Sequence, residues 1–170
     1  MAIADRQPDN TNFLSPVAFK FSCDLLPQTE FYCQSANLPG VSIAAPEVPT
    51  PFGPNYVGGD RVEYEELQLR MIVDENLKNF NEIYEWVTGL GISEEFDRYK
   101  ERKLKGLDAT GVLTILTGAN VPQVEIHFKK MFPISISGLQ FDLGNTDIVY
   151  LTADMSLRYN TYSIRNLLNN

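Results

Sequence analysis

Chemistry in this sequence would have to start from His127, the only histidine, from Cys23 and Cys33, the only cysteines, or from the acid pairs Glu65-Glu66 and Asp74-Glu75. None of these is placed for it. A zinc centre needs three or four closely spaced His, Cys or acid ligands, and here there is no CxxC pair and no histidine beside either cysteine. A hydrolytic serine would sit on a GxSxG elbow, which is absent, so His127 has no nucleophile to activate. His127 alternates with Val124, Ile126 and Phe128 and so points to the polar side of a strand, the position of a structural or surface histidine. Gly58-Gly59 precede a strand and do not join a strand to a helix, so they form no phosphate-binding loop. The two acid pairs fall at a strand edge and a helix start, where acids ordinarily reside. The sequence reads as that of a protein that is not an enzyme and carries no cofactor and no metal.

Cys23 and Cys33 have apolar neighbours two residues away (Phe21 and Leu25; Phe31). If Leu26 to Thr29 makes a turn, the run VAFKFSCDL and the run EFYCQSA form a hairpin with the cysteines almost opposite each other. Two reduced buried thiols are the reading preferred over a disulfide, because nothing in Met1 to Asn12 resembles a secretory signal and the chain is expected to be made and used in a cytosol.

The stretch that organises the chain is Arg61 to Trp86. Val62 and Tyr64 share one strand face, Leu67, Leu69, Met71 and Val73 the other parity, and the slip at Glu65-Glu66 predicts a β-bulge. After Val73 the period becomes helical. Leu77, Phe80, Ile83, Tyr84 and Val87 fall on one face, with Asp74 or Asn76 as cap and Gly89 as terminator.

Before this stretch, Leu38 to Gly59 carries five of the ten prolines and four of the eleven glycines, which excludes helix and central strand. Loops this long inside a domain usually have a task. Its apolar residues Val41, Ile43, Phe52, Tyr56 and Val57 suggest an arm (residues 41–60) that docks on another subunit. Its halves, Val41 to Val48 and Tyr56 to Tyr64, would pair around a tip at Pro49 to Asn55, mobile without a partner. After the helix, residues 93–106 form a charged insertion. It holds five of the 14 basic residues, so the remainder has about twice as many acids as bases. The last third gives strands at GVLTILT, QVEIHFKK and PISISGLQFDL, with a bend at Gly138 and a turn at Gly144-Asn145. A long central strand over 147–164 closes the chain, with Val149, Leu151, Ala153, Met155, Leu157 and Tyr159 facing the core.

At 170 residues and 44% hydrophobic, the chain is expected to form one folded domain with a flexible lead-in over residues 1–15. The architecture is mainly β: an antiparallel sandwich or barrel with one flanking α-helix and a long extended arm. No apolar run is long enough to span a membrane. A net charge of −8 argues against a DNA-gripping surface.

At CQSANLPG (Cys33 to Gly40), GGDR (Gly58 to Arg61), VDE (Val73 to Glu75), Trp86 and FPISISGLQFD (Phe132 to Asp142), the sequence resembles the tail tube protein of contractile-tailed, T-even-like bacteriophages. Order and spacing match as well as residues, over roughly residues 17 to 160. The stretch Ser93 to Lys105 and the tail after Tyr159 have no counterpart. The resemblance implies hexameric rings stacked into a hollow tube inside a contractile sheath, meeting sheath, baseplate and tail terminator proteins. DNA would pass through the lumen without specific binding. Such a protein belongs to the virion tail and is assembled in the host cytoplasm. A baseplate tube initiator, or the inner tube of a secretion or injection particle such as type VI secretion, is a near variant. A non-catalytic β-sandwich binding module, for instance for carbohydrate, is the alternative from another class. If the polar strand faces line the channel, Glu63, Asp142 and Asp154 are the acids expected there, repelling DNA within about 8 Å of the wall.

Overall fold

The long strand β9 (Pro122–Ile136) holds the structure together. The computed structural model describes residues 13–91, 108–144 and 150–167. The charged 93–106 insertion, the Gly144-Asn145 turn and most of the 1–15 lead-in therefore lie wholly or partly outside the described residues. What reads in sequence as two strands, QVEIHFKK and PISISGLQFDL, is one element that ends at Ile136, and residues 137–144 are not strand. Its first half lies between β8 (Ala109–Leu116) and β11 (Thr161–Asn166). Its second half pairs with β10 (Thr152–Arg158). Lys130, at φ 53°, bends the strand between the two halves; only a locally over-determined backbone holds a non-glycine residue in that region.

The expected 147–164 strand is interrupted. β10 and β11 lie end to end along the same side of β9, broken at Tyr159-Asn160 where β9 bends. β10 then pairs with β7 (Leu67–Ile72), and β7 with β2 (Cys33–Ala36). On the other flank β8 pairs with β1 (Phe19–Cys23). The seven-stranded antiparallel sheet runs β1-β8-β9-β10-β7-β2, with β11 added on β9.

The expected hairpin between β1 and β2 does not form. A short helix, α1 (Thr29–Tyr32), separates them, and they pair with β8 and β7 at opposite ends of the sheet. Alternation fixes which face of a strand is buried, not which strand is its neighbour. Both cysteines are free thiols, Cys23 buried and Cys33 half-buried.

Alternation does place the core. Phe21, Leu113, Ile126, Phe128, Met131, Leu67, Leu69, Met71, Ala153, Met155 and Leu157 are all buried on the inner face. Gly111 belongs to that packing, since a Cβ there would meet the Met131 side chain at 2.6 Å.

Helix α2 (Lys78–Leu90) closes the core with Ile83 and Trp86, both fully buried. Its buried face is rotated from the expected one: Tyr84 and Leu77 are exposed, while Asn79 is fully buried. The Asn79 amide explains this. Its Oδ1 accepts from the backbone N–H of Asp74 (3.1 Å) and Phe80 (2.8 Å), and its Nδ2 donates to the Ile72 carbonyl (2.7 Å). A polar side chain satisfied this fully sits inside without cost. Neither Asp74 nor Asn76 caps the helix; Leu77 precedes it in the left-handed region at φ 55°, and the helix runs through Gly89 to end at Gly91.

Candidate functional site

Two surfaces stand out, a projecting hairpin and the polar outer face at its root. The hairpin leaves the body between β2 and β7. β3 (Val41–Ile43) pairs with β6 (Val62–Tyr64), and β4 (Glu47–Thr50) with β5 (Gly53–Tyr56). The ladder is carried across the gaps by Val57 N–H to Pro46 O (3.1 Å) and Gly59 N–H to Ala44 O (2.8 Å). Gly59 is required there, because a Cβ would stand 2.3 Å from the Ala44 carbonyl oxygen. Every residue from Gly40 to Gly58 is exposed. Of the five apolar residues expected on an arm, Phe52 at the tip is fully exposed, and Val41, Ile43, Tyr56 and Val57 are each about half exposed or more. Val48 and Val62 join them. A two-stranded ribbon with this much bare apolar surface has no core of its own.

The hairpin's root is tied to the body. Where the slip at Glu65-Glu66 separates β6 from β7, the Asn37 side chain replaces the missing ladder: Oδ1 accepts from Gln68 N–H (2.6 Å) and Nδ2 donates to Glu66 O (3.1 Å). Glu65 N–H donates to Gly40 O (3.0 Å), and its carboxylate accepts from Gly40 N–H (3.1 Å). Tyr64 enters a cluster of rings with Tyr159 and Tyr162, centroids 5.9 and 5.5 Å away, both of which also pack on Phe128. The Tyr162 hydroxyl donates to Pro39 O (3.4 Å). A groove of about 800 Å³ runs beside this root, lined by Arg61, Glu63, Glu65, Glu66, Gln68 and Arg158 among others.

The three acids expected on a channel wall occupy three settings. Glu63 is exposed on β6, opposite Ser42, and lines the root groove. Asp154 is on β10, opposite Arg70 of β7, whose Nε and Nη2 donate to its two carboxylate oxygens at 2.7 and 3.0 Å. The guanidinium hydrogen bonds hold the Asp154 carboxyl below its usual range and raise the Arg70 pKa. Asp142 follows β9 in an exposed irregular segment, its Oδ1 accepting from Gly144 N–H (2.8 Å). Glu66 pairs with Arg158 (3.2 Å) on the same outer face. His127, half-buried, contacts Glu125 at 3.0 Å.

Among the described residues no group of His, Cys, Asp or Glu is arranged to hold a metal ion. No helix among them is long and apolar enough to cross a membrane. Asn37, the Tyr64-Tyr159-Tyr162 cluster and the Arg70–Asp154 pair were not singled out in sequence. Asn37 does fall inside the CQSANLPG motif, but its partners are about thirty residues away.

Solved structures define the class of fold. The tube-terminating cap of the anti-feeding prophage aligns with a TM-score of 0.67 and 14% identity, covering 98% of this chain and 99% of that one. Two components of the PVC extracellular contractile injection system are also similar. One is from the sheath/tube terminator (TM-score 0.59, 15% identity, 92% and 99% covered), the other from the sheath-tube complex (0.58, 14%, 98% and 99%). The chain shares the tube-type fold found in such particles. The phage tail tube protein family model matches residues 11–165, and the chain belongs to that family. That match reaches past Tyr159, beyond which the sequence resemblance found no counterpart. No curated protein sequence matches significantly. The family is one of structural tube proteins, not of enzymes.

Proposed function

We propose that this chain is the repeating subunit of a phage tail tube, six copies forming a ring and rings stacking into a tube whose lumen conducts DNA during ejection. The observation that carries the reading is the hairpin of residues 40–65, whose exposed Val41, Ile43, Phe52, Tyr56 and Val57 have no cover among the described residues. Apolar surface of this kind is stabilised by burial against another molecule. In an assembly of identical subunits, that molecule is the next copy. Family membership, and the likeness to a fold found in tube and cap components, support the same reading. Sheath, baseplate and terminator proteins are the further partners, the virion tail is the location, and the host cytoplasm is where assembly occurs.

Glu63, Asp142 and Asp154 are the acids we assign to the channel wall, with Arg70 offsetting the charge of Asp154. Replacing them with Lys is expected to leave tubes intact and slow DNA delivery. Tubes that deliver DNA at the normal rate would remove these residues from the wall. The arm is tested separately by deleting Pro49 to Pro54. The expected product is a folded subunit that does not polymerise, and normal-length tubes from it would refute the role.

A further inference from the structure

We infer that Asn37 and Tyr162 are positioning residues that aim the 40–65 hairpin in the free subunit, before any partner is met. A long exposed ribbon would normally swing about the points where it leaves the body. Here both exits are fixed from the side. The outgoing chain is held at Asn37, whose amide bridges Glu66 and Gln68, and at Pro39, whose carbonyl accepts the Tyr162 hydroxyl. The returning chain is held at Tyr64, packed edge-on against Tyr159 and Tyr162. Tyr159 lies in the break between β10 and β11 and Tyr162 at the start of β11, so the hairpin's root is keyed to the bend of the main sheet.

The two exits are also joined to each other by the reciprocal Gly40–Glu65 hydrogen bonds. Rings packed edge to face prefer a definite angle as well as a distance, and they add to the directionality of the hydrogen bonds. The consequence is entropic. A pre-aimed arm loses little orientational freedom on docking, and an unaimed one must lose it at each addition of a subunit. That consequence rests on the arm reading above; the aiming itself does not.

The test uses the free full-length subunit below its assembly concentration, comparing wild type, Asn37→Asp, Tyr162→Phe and the double variant. Asn37→Asp keeps the acceptor for Gln68 and removes the donor to Glu66; Tyr162→Phe keeps the ring and removes only the hydroxyl. Spin labels at Asn55→Cys and Lys78→Cys, in a Cys33→Ser background, report the hairpin-to-body distance. Cys23 is buried, its thiol pushed up to about 11 by that burial, and does not compete for label.

Wild type is expected to give a narrow distance distribution that broadens in each variant. Amide exchange at Gly59 and Glu65 should accelerate roughly fivefold, the loss of about one net hydrogen bond, while the β7–β10 ladder is unchanged. A wild-type distribution as broad as that of the double variant, or unchanged width and exchange in Tyr162→Phe, overturns the proposal. Should Asn37→Asp fail to fold, the conservative Tyr162→Phe decides alone. A wild-type protein that never forms tubes while its arm is narrowly aimed would contradict the function and leave this inference standing.

Discussion

At Tyr159 a hydroxyl is buried with no hydrogen-bond partner among the described residues, its side chain 7% exposed. Burial, reinforced by Tyr162 and Tyr64, pushes this phenol up to about 12 from an ordinary 10.0. Between those values the unfolded chain releases a proton that the folded chain keeps, so stability falls as pH rises from the lower to the upper. Tyr159→Phe should remove that alkaline loss and, having no bond to break, be neutral or stabilising by up to about 1 kcal/mol at neutral pH. Urea titrations at neutral and alkaline pH check both. Asp154 has the opposite sign. Its carboxyl titrates below the ordinary 3.8 because of Arg70, so its contribution is full above that value and disappears as pH falls through the lower, folded one. Thermal melts of Asp154→Asn should therefore fall slightly below wild type at neutral pH and coincide with it in strong acid, the gap being small because the pair is exposed. Neither environment is legible in the sequence. The parity of Asp154 gives its face, but its partner is fixed by a register between strands more than eighty residues apart.

At the level of elements, the sequence discloses whatever repeats with a period. The stripes Leu67-Leu69-Met71 and Ala153-Met155-Leu157 are read correctly because each alternates and each is buried on one side. The β1–β2 hairpin is misread because pairing depends on what lies between the strands, and a four-residue helix leaves no periodic trace. Helix α2 shows how a polar residue misleads: Asn79 belongs at the centre of the buried face because its amide joins the end of β7 to the first turn. Asn79→Ala would leave half-buried backbone groups at Ile72 and Asp74 without this partner. It is expected to cost about 2 kcal/mol in urea unfolding, as two or more such groups lose partners. A loss below about 1 kcal/mol would mean that water replaces the amide.

On the scale of the whole molecule, the subunit is closed by its core and open at its edges. The outer edges of β11 and of the second half of β9 have no strand partner among the described residues. Ile164 on β11, and Phe132 and Ile134 on β9, are exposed. Edges of this kind are tolerated when another chain covers them. Together with the bare hairpin they leave two sets of uncovered surface, which the proposed assembly assigns to neighbours around a ring and along its axis. The proline-rich composition made the hairpin visible in sequence. Its tether did not show, because Asn37, Tyr64 and Tyr162 come from three separate parts of the chain.

The claim that this subunit exists to be repeated is tested most directly by electron microscopy of the purified protein over a range of concentration and salt. The account predicts six-fold rings or stacked tubes in which the 40–65 hairpin lies against an adjacent copy. Uniform monomers under every condition, or an assembly in which that hairpin touches nothing, would contradict it.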